Sequence, residues 1–169
     1  PMTSTSIAAV RARRVWDSRG RPTVEAEVEL AGGARGRAIA PAGASRGSRE
    51  AVDLRDGGTR FGGADVLEAC ERARSTIGDA LRGRDALDQA AVDAAIVALD
   101  ATPDKAKLGG NATVAVSMAV AHAAAAARGV PLWRHLAGTA PVTLPLPEVQ
   151  VFGGGAHAGR RVDVQDFMV

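Results

Sequence analysis

The chain has no tyrosine, a single cysteine, and only two tryptophans and three phenylalanines among its 169 residues. With Cys70 alone, no intrachain disulfide and no cysteine zinc site can form. That favours a reducing, cytoplasmic compartment, and Cys70 reads as a small buried hydrophobe on a helix. The scarcity of aromatics excludes a core built on a few large anchors. Neither sign of charge dominates, 21 Lys and Arg facing 19 Asp and Glu for a net +2, as in ordinary soluble domains. The longest apolar run, about Ala112 to Ala127, is broken by Ser117 and His122 and reads as too short for a membrane span. No charged start precedes an apolar core, so no secretory signal is expected.

What is present is small and apolar. Hydrophobic residues make up 46% of the chain, mostly Ala and Val, which points to close helix packing. The length fits one domain. In its first third the pattern is that of antiparallel strands. From Thr23 to Leu30, Val24, Ala26, Val28 and Leu30 alternate with Glu25, Glu27 and Glu29, predicting a half-buried strand with one wet face. A weaker alternation runs over Ile7 to Trp16, and Arg35 to Ala40 forms a third strand after the Gly32-Gly33 turn. Pro41-Ala42-Gly43-Ala44-Ser45-Arg46-Gly47-Ser48 has no periodicity and reads as a loop.

From Ala64 the period becomes helical. Leu67, Cys70, Ala73 and Ile77 share one face of a first helix. A second, about Ala86 to Leu99, is expected to turn Leu87, Ala91, Ala94, Ala95 and Ala98 inward and Asp88 and Asp93 outward. A third, Ala112 to Arg128, is apolar nearly all round and so central, capped by Asn111 and ended by Gly129. Pro131 to Leu136 makes a short fourth. Pro141 to Pro147 is an extended linker. Strands are expected at Val149 to Phe152 and Val162 to Val169, the second stopping as though cut. Pro1 ahead of Met2 reads as a remnant. The reading is therefore α+β, with one complete domain over 1–141 and the start of another over 142–169.

Several groups of residues are candidates for chemistry. Gly153-Gly154-Gly155-Ala156-His157-Ala158 fits the loose G-x-G-x-x-A dinucleotide pattern. No helix is expected after it, and the acid needed about 20 residues on has no room. Glycines that bring a backbone and the His157 imidazole near an anion remain open. The Ser45 loop is either a mobile lid or an ordinary solvent loop, the latter favoured on the residues alone. Gln165 and Asp166 form a polar pair in an apolar stretch, on opposite faces if the segment is a strand. On a barrel strand they would fall where barrel active sites lie. Arg11, Arg13, Arg14, Arg19 and Arg21 raise nucleic-acid binding, but with little aromatic interleaving a solvated sheet face is the better reading.

The order of these segments is more telling than any one of them. Asp17-Ser18-Arg19-Gly20-Arg21-Pro22-Thr23-Val24-Glu25 resembles the signature near the amino terminus of the enolase family. Pro41 to Gly47 is similar to its catalytic loop, and Leu54-Arg55-Asp56-Gly57 to the segment after it. Leu108-Gly109-Gly110-Asn111-Ala112 through Gly129-Val130-Pro131-Leu132-Trp133-Arg134-His135 resembles the family's long helix and its exit. Gly154 to Gly159 and Gln165-Asp166-Phe167-Met168 resemble its first two barrel segments. The resemblance runs in register from Ile7 onward.

It implies a capping domain of three antiparallel strands and about four helices, followed by the first strands of a truncated β/α barrel. It implies a lyase that dehydrates 2-phosphoglycerate to phosphoenolpyruvate in glycolysis, with two Mg²⁺, in a cytoplasmic homodimer or larger homo-oligomer. No nucleic acid and no membrane span enter. In this superfamily a Lys base removes a proton beside a carboxylate, and metal ions stabilise the ene-diolate. By resemblance the lid is Ala42, Gly43, Ala44, Ser45, Arg46 and Gly47, with Ser45 ligating the second Mg²⁺. His157 and Gln165 contact the phosphorylated carboxylate substrate, and Asp166, usually Glu, handles a proton near the leaving hydroxyl. The Lys base, a second Glu and three metal carboxylates would lie beyond Val169, so these residues alone are expected to be inactive.

Departures cluster near that chemistry. Ala42 stands for a Ser, Arg46 for a Thr, Ala156 for a Ser, Gln150 and Gly153 for two Asn, and Asp166 for Glu. A misplacement of about 1 Å at a reacting group can cost on the order of 10²-fold in rate. Two alternatives to the glycolytic reading therefore stand. One is a diverged enzyme acting on another phospho- or phosphono-carboxylate; the other is a non-catalytic binding module.

Overall fold

The computed structural model describes residues 3–43 and 46–169. Two compact units divide the chain, Pro1–Ala42 with Arg49–Gly138, and Gly43–Ser48 with Thr139–Val169.

The first unit begins with β1 (Ile7–Trp16), β2 (Pro22–Leu30) and β3 (Arg35–Ile39). They form an antiparallel sheet in the order β1-β2-β3, as the alternation predicts. Asp17 closes the first turn, its Oδ1 accepting from the Arg19 and Arg21 N–H groups at 2.8 and 2.9 Å. Val24, Ala26 and Val28 have no exposed surface and Leu30 only 1%.

The opposite face is less wet than its glutamates suggest. Glu25 is buried, between Arg13 of β1 and Arg37 of β3. Arg11 Nη1 reaches Glu29 at 2.7 Å and Glu27 at 3.5 Å, and Arg35 reaches Glu29 at 3.3 Å. Register dictates this ladder: the arginines sit opposite or diagonal to the glutamates across each strand pair. Hydrogen bonding by Arg11, reinforced by the charge of Arg35, holds the Glu29 carboxyl below its ordinary range. Arg14 points the other way. Its Nη1 donates to both oxygens of buried Asp65, at 2.9 and 2.7 Å, and Arg60 adds a contact at 3.1 Å.

Helices cover the apolar face. A continuous helical stretch comprises α1 (Leu67–Arg72), a π turn (Ala73–Ile77) and α2 (Gly78–Leu81). Cys70, Ala73 and Ile77 are buried, whereas Leu67 is exposed. The helix starts at Leu67, later than the sequence reading had it. Its first N–H groups are taken by a distant carboxylate, Asp56, which accepts from Leu67 at 2.8 Å and Glu68 at 2.9 Å. Burial pushes the Cys70 thiol up to about 11, so it stays protonated and unreactive near neutrality.

Helix α3 (Gln89–Asp100) is rotated from expectation: Val92, Ile96 and Asp100 are buried, while Leu87, Ala91, Ala94 and Ala98 are exposed. Asp88 caps it, accepting from Ala91 N–H at 3.0 Å. Asp93 is half-buried rather than outward, bonded to Gln89 and Ser117. Asp100 accepts from the N–H groups of Thr102 at 3.0 Å and Leu108 at 2.7 Å, tying down the loop to the next helix.

Helix α4 (Gly110–Ala127) lies on β2 and β3. By length and composition it could cross a membrane, contrary to expectation, but 67% of it is buried inside the structure. Its small side chains bring it very close to the sheet. A Cβ on Gly36 would sit 2.1 Å from the Ala123 nitrogen and 2.3 Å from the Ala119 oxygen, both backbone. As expected the helix ends at Gly129 (φ +65°), with Val130 N–H donating to Ala125 O at 3.1 Å. Helix α5 (Leu132–Ala137) follows Pro131.

Candidate functional site

The residues singled out near the carboxyl end belong to the second unit. Its ordered elements are β4 (Gln150–Gly153) and β5 (Asp166–Met168), an antiparallel pair with a bulge after Gln150. The strand expected over Val162 to Val169 shrinks to three residues. Val162 and Gln165 instead give their carbonyls to the glycine turn: Gly155 N–H donates to Val162 at 2.8 Å and Gly154 N–H to Gln165 at 2.7 Å. Position 154 demands glycine, since a Cβ there would meet the Val164 oxygen at 2.1 Å.

His157 stands on a 3-10 turn, Gly155–Ala158, with its imidazole exposed. This four-residue turn takes the place of the helix that a dinucleotide loop requires. Through the Gly154–Gln165 bond, the turn bearing His157 is held against the segment bearing the polar pair. Gln165 and Asp166 do not point apart as expected. Gln165 precedes the strand, so the alternation does not govern it, and its Nε2 donates to Asp166 Oδ2 at 3.1 Å.

Sequence reading missed one partner, Gln150, whose Nε2 donates to Asp166 Oδ1 across the hairpin. Both carboxylate oxygens are thus engaged by amides, a geometry that fixes the orientation of an acid able to give or take a proton. Gly153 is Asp166's cross-strand partner, and a Cβ on it would lie 3.1 Å from Gln150 Nε2. Gln150, Gly153 and Asp166 therefore make one contact group. No local pattern pairs residues 16 apart on an exposed hairpin.

Of the loop residues, Ala42 accepts from Arg19 Nη2 at 3.2 Å through its carbonyl. Gly43, Arg46 and Gly47 are exposed; Ala44 and Ser45 lie outside the described residues. Magnesium takes near-octahedral oxygen ligands, usually including carboxylates. Among the described residues no group of three or more His, Cys, Asp or Glu is placed to hold a metal ion. The basic residues of β1 are engaged at home: Arg11 and Arg13 with glutamates, Arg14 with Asp65.

Compared with known families, residues 7–136 match the model described as Enolase, N-terminal domain. The match runs from the first residue of β1 into α5 and takes in over three quarters of the sequence. It covers the Asp17 turn, the loop and the α4 helix on which the resemblance was drawn. The chain belongs to the enolase family, and residues 7–136 are its amino-terminal domain.

Proposed function

We propose that this chain is the capping domain and the start of the barrel of an enzyme that dehydrates 2-phosphoglycerate to phosphoenolpyruvate. The observation that carries the reading is the family match over residues 7–136, which takes in the loop Pro41–Gly47 of the resemblance. His157, Gln165 and Asp166 follow it in the order that the resemblance implies, on one glycine turn and hairpin.

In this reading Asp166, oriented by Gln150 and Gln165, handles a proton at the departing hydroxyl. Gln165 and the His157 imidazole offer polar contacts to an anionic substrate, and Arg46 adds a positive charge for a phosphorylated carboxylate. Magnesium, the metal of this family, would take the Ser45 hydroxyl as a ligand from this chain; no step is assigned through it. A cytoplasmic homo-oligomer completes the proposal.

The base that removes the proton beside the carboxylate is a lysine in this superfamily, and it is assigned to residues past Val169. The sequence has two lysines, and both donate to backbone carbonyls: Lys105 Nζ to Thr102 O at 3.1 Å and Lys107 Nζ to Leu99 O, in the last turn of α3, at 2.8 Å. These 169 residues are therefore expected to give no turnover alone, whereas a polypeptide continuing through the barrel converts 2-phosphoglycerate with Mg²⁺. A longer polypeptide that forms no phosphoenolpyruvate would overturn the reading.

The contact group Gln150, Gly153 and Asp166 supports a second reading, because three of the departures from the family pattern touch one another. A pocket remodelled together suits another phospho- or phosphono-carboxylate. Asp166→Glu separates the two in the longer polypeptide. Higher turnover of 2-phosphoglycerate means ordinary geometry around one shortened acid; unchanged or lower turnover favours the remodelled pocket.

A further inference from the structure

We infer that Asn111 is a positioning residue for the stretch 51–54 that follows the Pro41–Gly47 loop, acting through the backbone of Leu54. The inference rests on the reading of that loop as part of the substrate site. The two stems of the loop both belong to the first unit. Upstream, Ala40 N–H donates to Val24 O at 3.1 Å, and buried Thr23 donates from Oγ1 to Ala40 O at 2.7 Å. Arg19 then holds the Ala42 carbonyl.

Downstream, residues 51–58 form no helix or strand, so their backbone must find partners elsewhere. Asp56 N–H donates to Asp65 O at 2.9 Å and Gly57 N–H to Gly63 O at 3.1 Å, and for Leu54 the partner is Asn111. Its Oδ1 accepts from Leu54 N–H at 3.1 Å, and its Nδ2 donates to Leu54 O at 3.0 Å. One side-chain amide thus does for Leu54 what a neighbouring strand would do. Asn111 is 2% exposed, so water cannot replace these bonds. Two further bonds extend the clamp: Gly110 N–H donates to Val52 O at 2.7 Å, and Val52 N–H to Asp104 O at 2.7 Å.

The stem lies directly on the amino end of α4. A Cβ on Gly109 (φ +92°) would come within 2.6 Å of the Leu54 Cβ, and one on Gly110 within 2.9 Å of the Ala51 Cβ. Between the stems is a cleft of about 390 Å³, walled by Ile39 and Pro41 on one side and Ala51 and Asp53 on the other, with Asn111 and Met118 beneath. Sequence reading made Asn111 a helix cap. It sits inside the helix, whose cap position is Gly109, and its side chain reaches 57 residues back.

Tryptic cleavage of the 169-residue chain tests this, comparing the bond after Arg49, beside the loop, with the bond after Arg82, in a distant turn. Loss of both buried bonds in Asn111→Ala is expected to raise the Arg49-to-Arg82 cleavage ratio about tenfold. Asn111→Asp is isosteric and keeps the acceptor for Leu54 N–H at a helix amino end, where a negative charge is tolerated. It should fall between wild type and Asn111→Ala, and it carries the test if the alanine variant does not fold. In the longer polypeptide, KM for 2-phosphoglycerate should rise more than kcat falls. Equal quickening at both bonds, or no change at either, overturns the positioning role. A wild-type polypeptide without turnover would overturn the proposed function while the cleavage ratio still decides for or against Asn111.

Discussion

In the β1–β2–β3 sheet, Val24, Ala26 and Val28 have no exposed surface. In the β4–β5 pair every strand residue is exposed, including Phe152 and Phe167, whose rings lie 5.6 Å apart. Both pieces are antiparallel, and both carry valine and carboxylate side chains. The difference is the second layer. α4 lies against β2 and β3, and the α1–α2 stretch against β1. Two strands alone satisfy some of each other's backbone groups but seal no face, and such hairpins are marginal in water. Alternation in a sequence therefore announces a strand without announcing a core; the core needs a partner for the apolar side.

Substitutions should keep these two regions far apart in sensitivity. The largest effect is expected where backbone meets backbone: Gly36→Val should cost about 3 kcal/mol or more, read from the urea midpoint, because no rotamer relieves a clash with Ala119 and Ala123. Next, Val28→Ala should cost about 2 kcal/mol, while Val151→Ala in β4 stays within about 0.5 kcal/mol. Equal losses would erase the distinction between sealed and open sheet.

Acid should act on the first unit through two buried carboxylates. Burial works against the charge on Asp65, but hydrogen bonds from Arg14 and the Val66 N–H win and hold its carboxyl below the usual 3.8. The same contest at Asp100 is won by Thr102 and the Leu108 N–H, again to below 3.8. A pKa lower when folded than when unfolded adds stability above 3.8, which is lost as pH falls through the folded value. Melting temperature should accordingly fall below about pH 4, and Asp100→Asn should flatten that fall. The smallest effect is expected on the Arg–Glu ladder, where Glu27→Gln should cost about 0.5 kcal/mol or less and lose even that in high salt.

The strands were the most legible part of the sequence because β2 sets apolar against charged residues at every step. Helix existence was legible too, and helix facing was not. In α3 the inward side is Val92 and Ile96, but alanines surround them, and an alanine looks alike on either side of a helix. Leu67 and Leu87, the larger residues expected inside, are exposed. Long-range pairings were invisible for another reason: Asp56 at the start of α1, Asn111 on Leu54 and Gln150 on Asp166 join residues that no local period relates. The glycine loops were readable as loops, but only the fold shows which glycine is sterically required.

Gly36 has a mechanical consequence. Where side chains separate two elements, a changed rotamer can absorb a small shift. Here strand and helix backbones abut at Ala119 and Ala123, so no rotamer change can take up a shift of β3 against α4. Asn111, which grips Leu54, is carried near the amino end of that same helix.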